Sequence, residues 1–327
     1  MSSASSERLT EAEAKAAGEK LGAVIKNVES VIIGKREAVE LVLTALVAGG
    51  HVLIEDVPGV GKTSLVSAVA KSVDCEFKRI QFTPDLMPSD VTGFSIYNQK
   101  SGEFEFRAGG VMSNLVLADE INRASAKTQA SLLEAMEERQ VTVDSHTYEL
   151  EQPFLVLATQ NPVESFGTYP LPEAQLDRFM LKLSMGYPTL EEEAQVLVMP
   201  RRRKHNLSPV ISRAEVLELA DSAERVYVAP ALARYIAEIV QSTRSSADTV
   251  LGSSPRGGIA LHNAARAYAL LHGRAYVLPD DIKYLAPHVL AHRLTLSHEA
   301  KLAKKTAVGV VRFVLDSVLV PAGESWA

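Results

Sequence analysis

Residues 51–70 combine a short apolar run, a glycine-bearing loop and a Lys-Thr pair. The run Val52-Leu53-Ile54 predicts a buried strand, and the segment that starts at Lys62 predicts a helix. Backbone N–H groups in such a loop point inward and the helix dipole adds positive potential, so this segment is a candidate phosphate site. Lys62 is expected to contact the β- and γ-phosphates of a nucleotide, and the Thr63 hydroxyl is expected to bind Mg²⁺. The candidate nucleotide-binding residues here are Pro58, Gly59, Val60, Gly61, Lys62, Thr63 and Ser64.

The match to the phosphate-loop pattern lacks one glycine. The pattern places a glycine five residues before Gly61, and this chain has Asp56 there. An ordinary tight turn before a core helix would also contain these glycines. The order of strand, loop, Lys-Thr pair and helix favours phosphate binding, because the mechanism requires that order.

Two carboxylates end a second apolar run, residues 115–118. Ligands of parallel sheets bind at the carboxyl ends of the strands, which is where Asp119 and Glu120 are expected to lie. We predict that Asp119 holds Mg²⁺, directly or through water, and that Glu120 polarises the attacking water. A solvated acidic turn would also explain the pair by itself, but the upstream phosphate loop favours the catalytic interpretation.

A third apolar run, residues 154–158, leads into Thr159-Gln160-Asn161-Pro162. If this run is a neighbouring strand, the Asn161 amide lies at the same edge of the sheet. We predict that Asn161 orients a water between Glu120 and the γ-phosphate. Asparagine before proline is also a common turn residue, so this role depends on the other two segments.

The remaining pattern predicts the elements that position these residues. Three pairs have capping-box spacing at helix starts: Thr10 with Glu13, Thr189 with Glu192, and Ser212 with Glu215. After residue 188 the pattern predicts helices only. Predicted helices cover about 10–28, 36–48, 126–139, 229–244, 255–272, 279–293 and 308–320, predicted strands cover 78–82 and 179–183, and predicted hairpins cover 92–106 and 140–150.

Composition limits the class of protein. The chain has 327 residues, which suits two domains, and 46 % hydrophobic with 23 % charged residues is ordinary for a globular protein. A net charge of −6 gives no general support for nucleic-acid binding, and the basic run at 201–204 is predicted to be a solvated loop. No apolar run is long enough to cross a bilayer, so membrane insertion is not expected. The polar N-terminus and the single Cys75 fit the cytoplasm.

Together these motifs resemble the MoxR family of AAA+ ATPases, over nearly the whole chain. Residues 56–63 resemble the family's Walker A motif, in which aspartate at the first glycine position is usual, and residues 119–124 resemble its Walker B motif. Residues 158–162 resemble sensor 1. The string at 167–179, Gly-Thr-Tyr-Pro-Leu-Pro-Glu-Ala-Gln-Leu-Asp-Arg-Phe, is the most specific for the family. One departure is Val111, which stands where the family usually has proline.

The resemblance implies an α/β fold in two parts. An αβα nucleotide-binding core, with a parallel sheet in the order 5-1-4-3-2, would occupy residues 1–187. An all-helical lid domain would occupy residues 188–327. The core would carry an insert in its second helix at about 92–108 and a hairpin before sensor 1 at about 140–150.

The resemblance also implies roles for residues that the local patterns do not single out. Ile32, Ile33 and Gly34 would line the adenine pocket. Arg178 would be an arginine finger that reaches the nucleotide of a neighbouring subunit, and Arg256 would be sensor 2. A positive charge at a helix start is mildly unfavourable, so a phosphate partner explains Arg256 better than a surface position does.

The implied function is Mg²⁺-dependent hydrolysis of ATP, coupled to chaperone-like remodelling or maturation of a protein client, including metal insertion. The implied partners are other copies of the chain in a ring, expected to be a hexamer, and a protein with a von Willebrand factor A domain. One alternative is a DNA-directed motor, which the acidic net charge opposes. The other is a slow nucleotide-switched scaffold, which the presence of Glu120, Asn161 and Arg178 opposes.

Overall fold

A computed structural model of the chain describes residues 8–57, 59–161, 168–198 and 207–321. Several residues singled out above lie outside these ranges, namely Pro58, Pro162, Gly167 and the basic run at 201–204.

The described strands form one five-stranded parallel sheet and three two-stranded antiparallel pairs. In chain order they are β1 Val52–Glu55, β2 Phe77–Gln81, β3 Gly93–Asn98, β4 Glu103–Ala108, β5 Leu115–Asp119, β6 Gln140–Val143, β7 His146–Glu149, β8 Leu155–Gln160, β9 Leu181–Leu183, β10 Thr249–Leu251 and β11 Thr295–Leu296.

The described helices surround the large sheet and make up most of the chain after β9. In chain order they are α1 Glu11–Glu29, α2 Arg36–Val47, α3 Lys62–Ser72, α4 Pro88–Thr92, α5 Ala126–Glu138, α6 Glu173–Leu176, α7 Leu190–Val198, α8 Arg213–Glu224, α9 Pro230–Ser245, α10 Pro255–Leu271, α11 Pro279–Leu290, α12 His298–Leu302 and α13 Ala307–Ser317. Within the described part of the chain, none of these helices is both long and apolar enough to span a membrane.

The large sheet has the order β2-β5-β8-β1-β9, with all neighbours parallel. Numbered by their appearance in this sheet, the strands run 5-1-4-3-2, so the predicted order is confirmed. The register aligns Ile54 with Thr159 and Ala118 with Ala158. The carboxyl ends of β1, β5 and β8 therefore lie side by side, and the segments that follow them leave the sheet together.

The hairpin predicted at 92–106 is the β3–β4 pair, and the hairpin predicted at 140–150 is the β6–β7 pair. The two are joined by Phe106 and Tyr148, whose rings stack with centroids 3.9 Å apart. After β4 the Val111 N–H donates to the Val91 carbonyl at 3.0 Å. Proline at position 111 could not make this bond, so the departure from the family pattern has a local hydrogen bond to account for it.

The part of the chain after residue 188 differs from the prediction in one respect. It contains the antiparallel pair β10–β11, in which Thr249 faces Leu296, so the prediction of helices only was wrong. These strands have three and two residues, which is too short for an alternating pattern to be recognised. The three predicted capping boxes all form: Thr10 with Glu13, Thr189 with Glu192, and Ser212 with Glu215.

One apolar cluster runs through helices on both sides of residue 187. It contains Leu21 of α1, Leu43 of α2, Leu219 of α8 and Leu270 of α10, all nearly inaccessible to solvent. Helix α10 packs against α1, α2, α8 and α9. The lid helices thus share a core with α1 and α2, which pack beside the sheet. The division of the chain at residue 187 stays a prediction.

His51 joins the amino end of the sheet to the end of α5. Its Nε2 lies 3.1 Å from the Met136 carbonyl, and its Nδ1 accepts the Val156 N–H at 3.0 Å. These partners require the neutral tautomer with the proton on Nε2. Burial lowers the pKa of His51 to about 4.

Acidification should therefore remove a contribution of His51 to stability. The folded pKa lies below the ordinary 6.5, so the unfolded chain binds more protons between pH 6.5 and 4, and stability falls as the pH falls through this window. The pKa difference between about 4 and 6.5 corresponds to a loss of roughly 3 kcal/mol in the free energy of unfolding. Urea unfolding of wild type and His51→Gln at pH 7 and pH 4.5 measures this loss, because glutamine can donate to Met136 but cannot take a proton. An equal pH dependence in both proteins would contradict it.

Candidate nucleotide-binding site

The candidate phosphate loop lies between β1 and α3, and both of its glycines have left-handed backbones. Gly59 has φ +87° and Gly61 has φ +93°, values that other residues adopt only with strain. A Cβ atom built at either position would have no heavy atom within 4 Å, so the space above the loop is open for a phosphate. Lys62 donates from Nζ to the carbonyls of Asp56 and Val57, at 3.2 and 3.3 Å. An ammonium has three donors, so one remains for a phosphate oxygen.

The Asp56 carboxylate, at the position of the missing glycine, connects the loop to the linker between β9 and α7. It is 5 % exposed, and its Oδ2 accepts the N–H groups of Met185 at 2.5 Å and Gly186 at 3.1 Å. Its Oδ1 accepts the N–H of Val57 at 3.2 Å. A glycine could make none of these bonds, so the departure from the general pattern creates a tether between the loop and the linker.

Lys35 holds the same linker from the other side. Its Nζ donates to the carbonyls of Met185, Gly186 and Tyr187 at 2.7, 3.1 and 3.3 Å. Neither Lys35 nor the tethering role of Asp56 was predicted from the sequence. The signal for Asp56 was the carboxylate at a glycine position, and Lys35 had no signal of its own.

Thr159 of the neighbouring strand β8 orients Asp119 and Glu120. Its Oγ1 donates to Asp119 Oδ1 at 2.6 Å and accepts the Glu120 N–H at 2.8 Å. Glu120 has φ +56°, a left-handed conformation that costs a residue with a side chain about 1–2 kcal/mol. The Oε2 atom of Glu120 accepts Gln81 Nε2 and Arg123 Nη1, both at 2.9 Å.

Arg79 of β2 binds the other oxygen of Asp119. Its Nε and Nη2 lie 3.1 and 2.5 Å from Asp119 Oδ2, and Nη2 also donates to Gln81 Oε1 at 2.7 Å. This arginine was not predicted from the sequence, because alternation in β2 shows only which face a residue occupies. The hydroxyl of Thr63 and the carboxylate of Asp119 are hard oxygen donors, which fit Mg²⁺. A metal ion at Asp119 Oδ2 would compete with the Arg79 guanidinium.

Asn161 follows β8, which lies between β1 and β5 in the sheet. It is buried, with 7 % of its surface exposed. The preceding carbonyl, that of Gln160, accepts the N–H of Asp56 at 3.1 Å. The structure therefore brings Asn161 to the edge that carries the phosphate loop and Glu120.

The predicted adenine-pocket residues meet the start of α3 and the start of α7. Ile32 lines a cavity of about 240 Å³ together with Thr63 and Ser64. Ile33 and Gly34 follow in the chain, and Gly34 has φ +69°. A Cβ at Gly34 would overlap the carboxylate of Glu192 on α7, so glycine permits this close approach.

Arg178 and Arg256 lie near the amino ends of the strands, whereas the candidate phosphate loop follows the carboxyl end of β1. Their Nη2 atoms bind the two oxygens of Glu137, at 2.9 Å for Arg178 and 2.8 Å for Arg256. Glu137 follows Met136, whose carbonyl contacts His51 at the amino end of β1. The structure thus brings the two predicted arginines together, but it does not bring them to the chain's own Lys62.

Comparison with known families agrees with this arrangement. Residues 51–181 match the profile of the ATPase family associated with various cellular activities (AAA), and residues 241–312 match the AAA lid domain.

Relatives of similar length cover most of the chain. The uncharacterized protein YeaC of Bacillus subtilis is 56 % identical over 93 % of this chain and 96 % of its own. Chaperone MoxR1 of Mycobacterium tuberculosis is 42 % identical over 91 % of this chain and 81 % of its own. A crystal structure of a Cytophaga hutchinsonii protein proposed to be an ATPase superposes with a TM-score of 0.89, at 42 % identity over 95 % of this chain and 98 % of that one.

Replacing Asp56 tests the tether between loop and linker. Asp56→Ala should lower the free energy of unfolding by about 2–4 kcal/mol, because buried N–H groups lose a charged acceptor. Asp56→Gly, which restores the glycine of the general pattern, should be no more stable than Asp56→Ala. Urea unfolding measures both, with Asp316→Ala at an exposed position as the matched control. An Asp56→Gly protein as stable as wild type would show that the carboxylate does not hold the linker.

Proposed function

Because the chain belongs to the MoxR family of AAA+ ATPases, we propose that it hydrolyses ATP to ADP and phosphate in a Mg²⁺-dependent reaction. The observation that carries the proposal is the common edge of β1, β5 and β8. Lys62, Asp119, Glu120 and Asn161 reach this edge from three segments that are distant in sequence.

In the proposed reaction, bound MgATP supplies the transferable phosphoryl group and a metal ion that neutralises its charge. Thr63 and Asp119 hold the metal, and Lys62 contacts the phosphates with the donor that Asp56 and Val57 leave free. Phosphoryl transfer needs mainly positioning and electrostatic stabilisation, which these side chains provide.

Glu120 orients the attacking water and accepts its proton. The left-handed turn at Glu120 and the bond from its N–H to Thr159 aim the side chain from the end of β5. Gln81 and Arg123 hold the carboxylate oxygen, which limits the orientations that Glu120 samples. Asn161 supports the same water from the neighbouring strand.

Arg178 and Arg256 are proposed to act on the nucleotide of a neighbouring copy in a ring, which we take to be a hexamer. Both lie at the amino ends of the strands, away from the phosphate loop of their own chain. An arginine that stabilises charge in the transition state must reach the phosphates, so a second chain is the natural recipient.

The work proposed for this ATPase is chaperone-like remodelling or maturation of a protein client, including metal insertion, with a von Willebrand factor A domain protein as partner and the cytoplasm as location. The β3–β4 hairpin supports a client contact, because Phe94, Tyr97 and Phe104 are 43, 53 and 73 % exposed. The division into a core of residues 1–187 and a lid of residues 188–327 belongs to the same proposal.

Two substitutions separate nucleotide binding from hydrolysis. Lys62→Ala should abolish tight ATP binding, because it removes the charge on the β- and γ-phosphates. Glu120→Gln should retain binding and slow hydrolysis by at least about a hundredfold, on the scale of 3 kcal/mol in the barrier. Nucleotide affinity and steady-state ATPase rates are measured on both. A Glu120→Gln protein that hydrolyses ATP near the wild-type rate would refute the role of Glu120.

A mixing experiment tests whether Arg178 acts between copies. Arg178→Ala retains its phosphate loop and Glu120, whereas Glu120→Gln retains its arginine. Each protein should be nearly inactive alone. Arg178→Ala lacks an arginine that contributes about 10³- to 10⁵-fold in rate, and Glu120→Gln lacks the carboxylate that activates the water. Mixed assemblies should recover activity where a Glu120→Gln copy offers Arg178 to the nucleotide of an Arg178→Ala copy. If the two proteins co-assemble in ATP but show no more activity than the sum of the two measured separately, action in trans is refuted.

A further inference from the structure

Glu137 forms ion pairs with both Arg178 and Arg256. Its Oε2 binds Arg178 at 2.9 Å and its Oε1 binds Arg256 at 2.8 Å. The three side chains line a cavity of about 280 Å³ with His51 and Met136. Arg178 and Arg256 are 30 and 50 % exposed, so a neighbouring molecule can reach them.

We infer that Glu137 is a positioning residue for the two arginines. Arg178 precedes β9, and Arg256 lies at the start of α10. Glu137 holds the two guanidinium groups side by side, so that both reach the same nucleotide of a neighbouring copy. The inference rests on the proposed action in trans.

Electrostatics explains why a carboxylate is needed at this place. Both guanidinium groups are always charged, and at close range they repel each other. A carboxylate between them removes this repulsion and fixes the side chains through one oxygen each. Partly exposed ion pairs of this kind contribute little to stability, so stability alone does not account for the arrangement.

The backbone around Glu137 is held rigidly. The carbonyl of Met136, the preceding residue, contacts the buried His51 at 3.1 Å. His51 is bonded in turn to the Val156 N–H of β8 at 3.0 Å. These bonds connect the backbone directly before Glu137 to the amino ends of β1 and β8 without involving either arginine.

A second carboxylate, Asp177, joins the segments that carry the two arginines. Its Oδ1 accepts Arg293 Nε at 2.7 Å, and its Oδ2 accepts Ser254 Oγ at 3.0 Å. Ser254 directly precedes α10, whose first turn contains Arg256, and Asp177 directly precedes Arg178. The backbones of the two arginines are therefore fixed relative to each other, and Glu137 aligns their side chains on that frame.

The arrangement leaves donors for a phosphate. A guanidinium has five N–H donors, and each arginine directs one nitrogen, Nη2, to Glu137. The remaining N–H groups can bind phosphate oxygens while the bond to Glu137 persists. Glu137 therefore aligns the arginines without competing for all of their donors.

The mixing experiment tests this inference when Glu137→Ala is added to one protein at a time. In the Glu120→Gln copy, which donates the arginines, it should lower the recovered kcat by about 10- to 100-fold, because small misplacements are costly in catalysis. It should leave the KM for ATP of the recovered activity unchanged. In the Arg178→Ala copy, which supplies only the nucleotide, it should not change the recovered rate.

Two further variants of the donating copy serve as controls. Glu138→Ala removes the exposed adjacent carboxylate and should have no effect. Glu137→Gln retains one acceptor oxygen and should restore part of the rate that Glu137→Ala loses. Native mass spectrometry verifies that every mixture co-assembles.

Several outcomes would overturn the inference. A full rate with Glu137→Ala in the donating copy would show that Glu137 does not position the arginines, and a higher rate would show that it restrains them. An equal loss in either copy would indicate a purely structural role. Failure of the parental mixture to recover activity would instead refute action in trans, so the two failures are distinguishable.

Discussion

Parallel pairing in register among β1, β8 and β5 determines where the polar segments of this protein meet. Ile54 lies beside Thr159, and Ala118 lies beside Ala158, so the three strands end at one height. Thr159 then connects the Asp119 carboxylate and the Glu120 backbone within hydrogen-bond distance. A slip of one residue would turn alternate side chains to the opposite face of the sheet and separate these groups.

The candidate site is coupled to the lid through the linker at residues 185–187. Asp56 holds two N–H groups of the linker, and Lys35 holds its carbonyls. Asp56 is the first residue of the candidate phosphate-loop motif, and Lys35 follows the segment proposed to line the adenine pocket. A nucleotide that shifts either segment would therefore move the linker, which is the physical basis of the proposed link between hydrolysis and remodelling.

The carboxyl ends and the amino ends of the strands in the large sheet carry different functional groups. The carboxyl ends have the candidate phosphate loop with Asp119 and Glu120, and the amino ends have Arg178 and Arg256 on Glu137. The anionic substrate and the cationic groups proposed to stabilise it are thus separated within one chain by the length of the strands. A head-to-tail ring brings such complementary edges together, since each copy presents one edge to each neighbour.

Local sequence determined much of this protein. The strand order came from the family resemblance. Apolar runs ending in polar residues predicted β1, β5 and β8, and capping boxes predicted the starts of α1, α7 and α8. These features depend on a few adjacent residues, and periodicity or hydrogen bonding within one turn makes them visible. Only the tertiary structure decided which distant side chains meet. Arg79 on Asp119, Asp56 on the linker, and Glu137 between two arginines each join segments about 40 to 130 residues apart. No short-range pattern encodes such contacts, because they depend on how the chain packs and not on the spacing of residues along it.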